Sequence, residues 1–212
     1  MEELYKDVSL NKPAFCLHLG DLANSGKKES IKKVVDAANK AGLTLYPVPG
    51  NHDCDLKDDL SIYSEILPDF INYGFEYKGW QFIGLDTTYG KAWDGTQIKE
   101  ETLRWLRNYK TQLSPSKPTV LFTHFPFDSA VPNALKDGNV ILKELKGFDL
   151  QMVLSGHHHG MTVKTRKHTT FFTQPCASRV ASNHDGSTEK GYCLFSCSKD
   201  GYWNKIFVEF SV

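Results

Sequence analysis

The chain has 212 residues, of which 40% are hydrophobic and 24% charged, a composition typical of a globular protein with a sizeable core. Its 25 Lys and Arg residues balance 25 Asp and Glu residues, so no overall charge attracts nucleic acid or an acidic membrane surface. No apolar run approaches the roughly 18 residues of a membrane span.

Strand and helix patterns alternate in the first part of the chain. The segment before residue 11 is expected to be the tail of a helix. Residues 14–19 form a short apolar run that predicts a buried strand, and residues 28–41 have the apolar spacing of a helix. Residues 43–48 predict the next strand. This strand–helix–strand order favours parallel pairing of the two strands.

The rest of the chain continues as alternating elements and then becomes rich in strands. We predict helices at 98–113 and 140–145, single strands at 119–122, 150–154, 162–166 and 169–173, and hairpins at 73–85 and 192–210. No repeat or linker separates these elements. The sequence therefore predicts one α/β domain across residues 1–212.

Cysteine usage suggests a reducing environment. The chain has five cysteines, an odd number, and no Cys-x-x-Cys pair. We interpret them as free thiols, which favours a cytoplasmic location. The cysteines are Cys16, Cys54, Cys176, Cys193 and Cys197.

Four polar motifs follow directly after predicted strands. Loops beyond the carboxyl ends of strands in open α/β sheets converge on one crevice, so we expect these motifs to meet at one rim of the sheet. Each motif alone has an ordinary structural explanation, such as a turn or a packed histidine, but the four together in this order favour a functional site. The motifs are Gly20-Asp21, Gly50-Asn51-His52-Asp53, Thr123-His124 and Gly156-His157-His158-His159.

The side chains of these motifs form a mixed oxygen and nitrogen ligand set. Carboxylate, amide oxygen and imidazole suit transition metals such as Zn, Fe or Mn, and the absence of cysteine argues against a structural zinc site. The glycines are expected to leave room for a ligand. If the backbone around His158 is extended, His157 and His159 point the same way and His158 points the other.

Taken together, the motifs resemble the calcineurin-like metallophosphoesterases. That family carries five blocks in order, Asp-x-His, Gly-Asp, Gly-Asn-His-Asp/Glu, His and Gly-His-x-His, and this chain resembles the last four over residues 14–175. The resemblance implies a four-layer α/β fold, in which a β-sandwich is flanked by helices. It also implies two divalent or trivalent metal ions such as Mn, Fe or Zn.

The resemblance also implies a role for each site residue. Asp21 resembles the carboxylate that bridges both metals, and His52 resembles the catalytic general acid, with Asp53 as its orienting partner. The remaining metal ligands implied by the family are Asn51, His124 and His157 for the second metal and His159 for the first.

The Asp-x-His block is not found in this chain. Only 19 residues precede Gly20, and their candidates, Asp7 and His18, do not form the block. His18 lies in the predicted strand and is interpreted as a packed residue. We therefore expect the first strand of the fold to be missing, Met1 to be an internal methionine of a longer natural protein, and this chain to load as few as one metal ion.

The resemblance implies hydrolysis of a phosphodiester or phosphomonoester by a metal-activated hydroxide. The substrate is expected to be a small phosphorylated molecule such as a nucleotide, because residues 20–26 and 124–127 resemble the branch that contains cyclic-nucleotide phosphodiesterases and purple-acid-phosphatase-like enzymes. Asn24 is a candidate for a phosphate contact. Phe125, Phe127 and Trp93 are candidates for stacking on a base or another flat leaving group, or are ordinary core or rim aromatics, and Arg179 and His184 lie in a polar loop that could border the site.

Three other functions were considered. A non-catalytic binding scaffold of the same fold is favoured by the absent first block and opposed by His52. A DNA nuclease is opposed by the zero net charge. A Ser/Thr protein phosphatase would carry a Gly-Asp-x-x-Asp-Arg-Gly block, whereas Asp21 is followed here by Leu-Ala-Asn-Ser. The sequence leaves the oligomeric state open.

Overall fold

The computed structural model describes residues 1–127, 131–178 and 181–210. Short 3-10 turns cover Asn51–Asp53 and Lys110–Gln112. The α-helices are α1 (Glu2–Leu10), α2 (Lys28–Lys40), α3 (Ser61–Ile66), α4 (Glu100–Tyr109) and α5 (Gly138–Glu144). The strands are β1 (Cys16–His18), β2 (Leu45–Pro47), β3 (Tyr73–Tyr77), β4 (Trp80–Leu85), β5 (Thr119–Thr123), β6 (Leu150–Ser155), β7 (Thr162–Arg166), β8 (Thr169–Thr173), β9 (Gly191–Cys197) and β10 (Trp203–Glu209).

The largest sheet has six strands in the order β3-β4-β5-β6-β8-β7. Strands β4, β5, β6 and β8 run parallel, while β3 and β7 pair antiparallel at the two edges. Every residue of β4 and β5 is buried, because other layers cover both faces of the sheet. These two strands therefore lack the alternation of apolar and polar residues that a half-exposed strand shows.

Helices α4 and α5 cover one face of the six-stranded sheet. Leu106 of α4 and Ile141 of α5 are fully buried and pack with Ile83, Leu121 and Val153 of the central strands. Full burial of such side chains contributes about 1.5–3 kcal/mol each relative to exposure. This cluster holds the parallel strands in place and thereby positions the loops at their carboxyl ends.

Two small sheets cover the other face. Strands β1 and β2 pair parallel, and β9 and β10 pair antiparallel. Phe15 packs edge-on against Phe82 of the central sheet, and Phe172 packs edge-on against Phe195 and Trp203 of the small hairpin. Such aromatic pairs add about 0.5–1.5 kcal/mol beyond the burial of their area.

Helices α1 and α2 form the outermost layer beside β1 and β2. Leu4, Val8, Ile31 and Val34 bury their side chains there and pack against Cys16. The layers therefore follow the order helices, six-stranded sheet, small sheets, helices. The prediction of an α/β fold with a β-sandwich flanked by helices is confirmed.

Several element boundaries differ from the predictions. Strand β1 is only three residues long, and the predicted helix over 98–113 divides into α4 and the 3-10 turn Lys110–Gln112. Helix α3 was not predicted, because six residues are too few to show a helical period. The structure also shows that all five cysteines are free thiols. No helix in the described part of the chain combines the length and apolar character needed to cross a membrane.

Candidate metal centre

The four predicted motifs meet between the two sheet layers. Asp21 follows β1 and Asn51 follows β2 in the small parallel sheet, whereas His124 follows β5 and His157 follows β6 in the central sheet. The prediction that the motifs share one rim of a single sheet is therefore wrong in detail. The carboxyl ends of strands from two facing sheets supply the side chains.

Glycine allows these loops to approach each other closely. A Cβ atom on Gly50 would lie 2.2 Å from Oδ1 of Asp21, and one on Gly20 would lie 2.5 Å from Nδ1 of His124. Both distances are too short for any real side chain. The space that the glycines leave is therefore filled by side chains of the neighbouring motifs, and not by a ligand as predicted.

Four polar side chains are in mutual contact at this point. Nε2 of His124 lies 3.1 Å from Oδ1 of Asn51 and 3.4 Å from Oδ2 of Asp21. Nδ1 of His157 lies 3.3 Å from the same Nε2 atom. Asn51, His124 and His157 are buried, and the Asp21 side chain is 19% exposed, so the cluster is open to solvent mainly at its carboxylate.

The outer contacts of the two rings determine their tautomers. Nδ1 of His124 lies 2.7 Å from the carbonyl of Leu19, and Nε2 of His157 lies 2.8 Å from the carbonyl of Trp93. A carbonyl oxygen only accepts hydrogen bonds, so each of these nitrogens carries the hydrogen. The lone pairs of the neutral rings are then on His124 Nε2 and His157 Nδ1, the two atoms that face each other.

Burial keeps the His157 ring neutral. It lowers the pKa of this histidine to about 3, with a further contribution from the neighbouring His124 ring. The His157 lone pair is therefore available at neutral pH. Histidines that bind metals in proteins commonly donate their outer N–H to a carbonyl, as both rings do here.

The distances around Nε2 of His124 match those between ligands of one metal ion. Two atoms that each lie about 2.1 Å from one ion are about 3.0–3.4 Å apart at octahedral to tetrahedral angles, and the contacts here are 3.1–3.4 Å. Within the described ranges, His, Cys, Asp and Glu side chains alone form no group of three or more that could hold a metal. These side chains are therefore neighbours without forming a preformed metal site, and a bound ion would have to draw them together with the amide oxygen of Asn51 as a further neutral donor.

His52 lies at the exposed edge of this cluster. Its backbone N–H donates to Oδ1 of Asp21 at 2.9 Å, and its ring Nδ1 lies 3.3 Å from the carbonyl of Asn24. That contact places a hydrogen on Nδ1 and leaves Nε2 of the exposed ring to face outward. The structure thus ties His52 to the Gly20-Asp21 loop through its own backbone and through Asn24.

Asp53 does not contact the His52 ring as predicted. Its carboxylate accepts hydrogen bonds from the backbone N–H groups of Gly50 and Ala23, both at 2.9 Å. Burial and the nearby charge of Asp21 raise the pKa of Asp53 to about 7, against the lowering effect of these N–H groups. Asp53 therefore joins the two loops that carry Asp21 and Asn51, and an orienting effect on His52 would act through the position of its loop.

The Gly156–His159 loop is not extended. His157 and His159 have φ angles of 61° and 51°, in the left-handed region that non-glycine residues rarely adopt. The premise that the two side chains point the same way is therefore wrong. The His159 ring contacts the carbonyl of Ser182 at 3.2 Å and packs at a tilt against His184 at a centroid distance of 4.8 Å.

Four of the five other predicted site residues can also be compared with the structure. Phe125 and Phe127 are buried core residues, whereas Trp93 is exposed. His184 borders the site through its ring contact with His159. Arg179, from the same loop, lies outside the described residues.

The sequence reading missed the carbonyl groups of Leu19 and Trp93. Both fix a histidine tautomer through their backbone oxygen, and backbone atoms leave no signal in the residue type. Backbone strain also marks the site, because Asp21 has a φ of 55° in addition to the two histidines of the Gly156–His159 loop.

Residues 1–161 match the family model for calcineurin-like phosphoesterases. The chain belongs to this family. It is 25% identical over 206 residues to a probable cyclic nucleotide phosphodiesterase of Synechococcus, covering 94% of this chain and 78% of the relative. It is 24% identical over 215 residues to a 3′,5′-cyclic-nucleotide phosphodiesterase of Nostoc, covering 96% and 77% of the two chains.

A solved structure shares the fold at lower identity. GAP50, the anchor in the inner membrane complex of Plasmodium, has a TM-score of 0.64 and 15% identity, covering 98% of this chain and 78% of that chain. The family match and the named relatives confirm that the chain is a member of a family of phosphoester hydrolases.

Proposed function

We propose that this chain is a metal-dependent phosphodiesterase whose substrate is a 3′,5′-cyclic nucleotide. The names of its phosphodiesterase relatives support the substrate class. One observation supports the metal centre above all others. The lone pairs of His124 and His157 are directed at each other, beside the oxygens of Asp21 and Asn51, while the outer nitrogen of each ring is held by a carbonyl.

The proposed metal ligands are Asp21, Asn51, His124 and His157. A bound divalent ion would lower the pKa of water and neutralise phosphoryl charge. The carbonyls of Leu19 and Trp93 would orient the two rings and increase their basicity. Burial of Asn51, His124 and His157 would keep the site rigid and dry, so that its charges act on the substrate with little screening.

We assign His52 as the proton donor to the leaving oxygen. The carbonyl of Asn24 holds a hydrogen on Nδ1 of the ring, so Nε2 is the nitrogen that would deliver a proton. Asp53 acts as a positioning residue, because it clamps the loop of His52 to the loop of Asp21 through two backbone N–H groups.

A second metal ion would require His159. Its ring would have to turn from Ser182 and His184 toward Asp21, whose charge already acts on it across the site. Two ions, with Asp21 as the shared ligand, therefore remain part of the proposal.

Elemental analysis combined with hydrolysis assays tests the proposal. Purified protein should contain bound transition metal and hydrolyse both bis(p-nitrophenyl) phosphate and 3′,5′-cyclic AMP. Asp21→Asn should lose the metal and at least about 100-fold in activity, because a metal stabilises the phosphoryl charge by several kcal/mol. His168→Asn, at an exposed histidine in the β7–β8 turn, is the matched control and should retain both.

Two results would contradict the proposal. An Asp21→Asn variant that kept its metal and its activity would remove Asp21 from the site. A wild-type protein that bound no metal and hydrolysed neither ester would favour the binding-scaffold function instead.

A further inference from the structure

Trp93 differs from the other tryptophans of the chain. Its side chain is 64% exposed, whereas Trp80 is 2% exposed and packs in the core with Trp203. Trp105 is partly buried and packs against the α4–α5 side of the central sheet. An exposed indole does not contribute the hydrophobic stabilisation that a buried one would. The exposure of Trp93 therefore suggests a role in binding.

The backbone of Trp93 is bound directly to the candidate metal centre. Its carbonyl accepts the hydrogen bond from Nε2 of His157, while Nδ1 on the other side of that ring faces His124. The residue is thus one hydrogen bond and one imidazole ring away from Nδ1 of His157, the nitrogen that would bind the metal beside the phosphate. In a nucleotide, one sugar ring separates the base from the phosphate, so the two spans are comparable.

The loop that carries Trp93 is anchored on both sides. Before it, the carbonyl of Gly90 accepts a hydrogen bond from the Cys54 thiol at 3.2 Å, and the N–H of Lys91 donates to Asp58 at 2.6 Å. After it, the carbonyl of Thr96 accepts from the N–H of Lys136 at 3.1 Å. An anchored loop presents its side chain with little ordering cost when a ligand binds.

We propose that Trp93 is a specificity residue whose indole stacks on the nucleobase of the substrate. This inference rests on the proposed function and names the group that selects a nucleotide among phosphodiesters. Phe125 and Phe127 cannot take this part, because they are 0% and 5% exposed. Stacking on an aromatic side chain tolerates different bases, so the residue favours purine and pyrimidine nucleotides over diesters without a ring.

Kinetics on two substrates test the inference. Trp93→Ala should raise KM for 3′,5′-cyclic AMP roughly 5- to 100-fold, which is the range of one lost base-stacking contact, and change kcat little. Both parameters for glycerophosphoglycerol, a diester with neither a base nor a cationic group, should change by a smaller factor, because the Ala variant keeps the backbone carbonyl that bonds to His157. Trp93→Phe should restore most of the affinity. Tyr202→Ala, at another exposed aromatic residue far along the chain, is the control.

A binding measurement separates failure of this inference from failure of the proposed function. Titration calorimetry with adenosine 5′-monophosphate requires no turnover, and Trp93→Ala should weaken binding by the same factor. If wild-type protein hydrolyses neither diester yet shows Trp93-dependent binding, the catalytic proposal fails and the stacking role stands. The stacking role would be overturned if Trp93→Ala changed the kinetics of both substrates equally or left them unchanged. It would also be overturned if Trp93→Ala bound adenosine 5′-monophosphate as tightly as the wild type.

Discussion

At the scale of single residues, the site is organised by backbone groups as much as by side chains. His124 and His157 would be two unremarkable buried rings without the carbonyls of Leu19 and Trp93, which decide where each lone pair lies. Residue types predicted carboxylate, amide and imidazole donors, and these groups lie close together in the structure. They gave no means of predicting that Asp53 contacts Gly50 and Ala23 instead of the His52 ring.

His52→Ala should separate catalysis from metal binding. The exposed ring contacts Asn24 and not the four clustered side chains, so metal content should remain near the wild-type value. Turnover of 3′,5′-cyclic AMP should fall about 10²–10⁴-fold, the usual contribution of a general acid. The loss on bis(p-nitrophenyl) phosphate should be smaller, because p-nitrophenolate leaves without a proton.

Metal analysis and both assays on one preparation decide the role of His52. Loss of metal as complete as in Asp21→Asn would show that His52 is a ligand. An equal loss of activity on the two esters would show that it does not protonate the leaving group.

At the scale of elements, the predicted bounds were most accurate for strands that end in a short turn. The bounds of β7 and β8 agree with the predicted ones, because a short polar turn separates the two strands. Strand β1 is shorter than its apolar run, since Phe15 and Leu19 pack in the core without belonging to the strand. An apolar run in the sequence indicates which residues are buried. The bounds of β1 are set instead by the residues that form backbone hydrogen bonds with β2.

Gly50→Ala should damage both the fold and the site. Its backbone, with φ of −115° and ψ of 175°, suits any residue, so the effect would come only from the methyl group that would press on Asp21. We expect a loss of about 1–3 kcal/mol in the free energy of unfolding, typical of overpacking, together with weaker metal binding.

Urea unfolding and metal titration measure these two effects. Gly138→Ala is the comparison, because its added methyl group would meet only the Phe127 side chain, at 3.2 Å, and should cost less. If Gly50→Ala kept the wild-type stability and metal affinity, this would show that the Asp21 loop can move to make room for the methyl group.

At the scale of the whole molecule, four layers bring the site together from both sheets. Strands β1 and β2 contribute Asp21 and Asn51, and the central sheet contributes the two histidines across the aromatic interface. The same layers leave His18 half-buried, with a buried Nδ1 atom that has no hydrogen-bond partner. That the 212 residues form one domain, and that the protein is cytoplasmic, stay predictions.

His18 should make the stability of the fold dependent on pH. Burial lowers its pKa from 6.5 to about 4, despite the opposing charge of Asp21. Between these values the unfolded chain binds a proton that the folded chain does not, so stability should fall as the pH falls from 6.5 to 4. For one proton, the free energy of unfolding should fall by at most about 1.4 kcal/mol for each pH unit in this range.

Urea unfolding of metal-free protein at several pH values checks this dependence. His18→Gln should lose this part of the slope, whereas His168→Gln, at an exposed histidine, should keep it. Identical slopes in the two variants would show that His18 does not titrate between the folded and unfolded states in this range.

The sequence by itself determined the chemistry of this protein and the order of its motifs. Asp21, Asn51, His124 and His157 are donors wherever they lie, because the functional group is fixed by residue type. Only the tertiary structure decided that they meet between two sheets, that His159 faces Ser182, and that Trp93 stands exposed beside His157. Those outcomes depend on how layers far apart in the chain pack, and on backbone atoms that every residue shares.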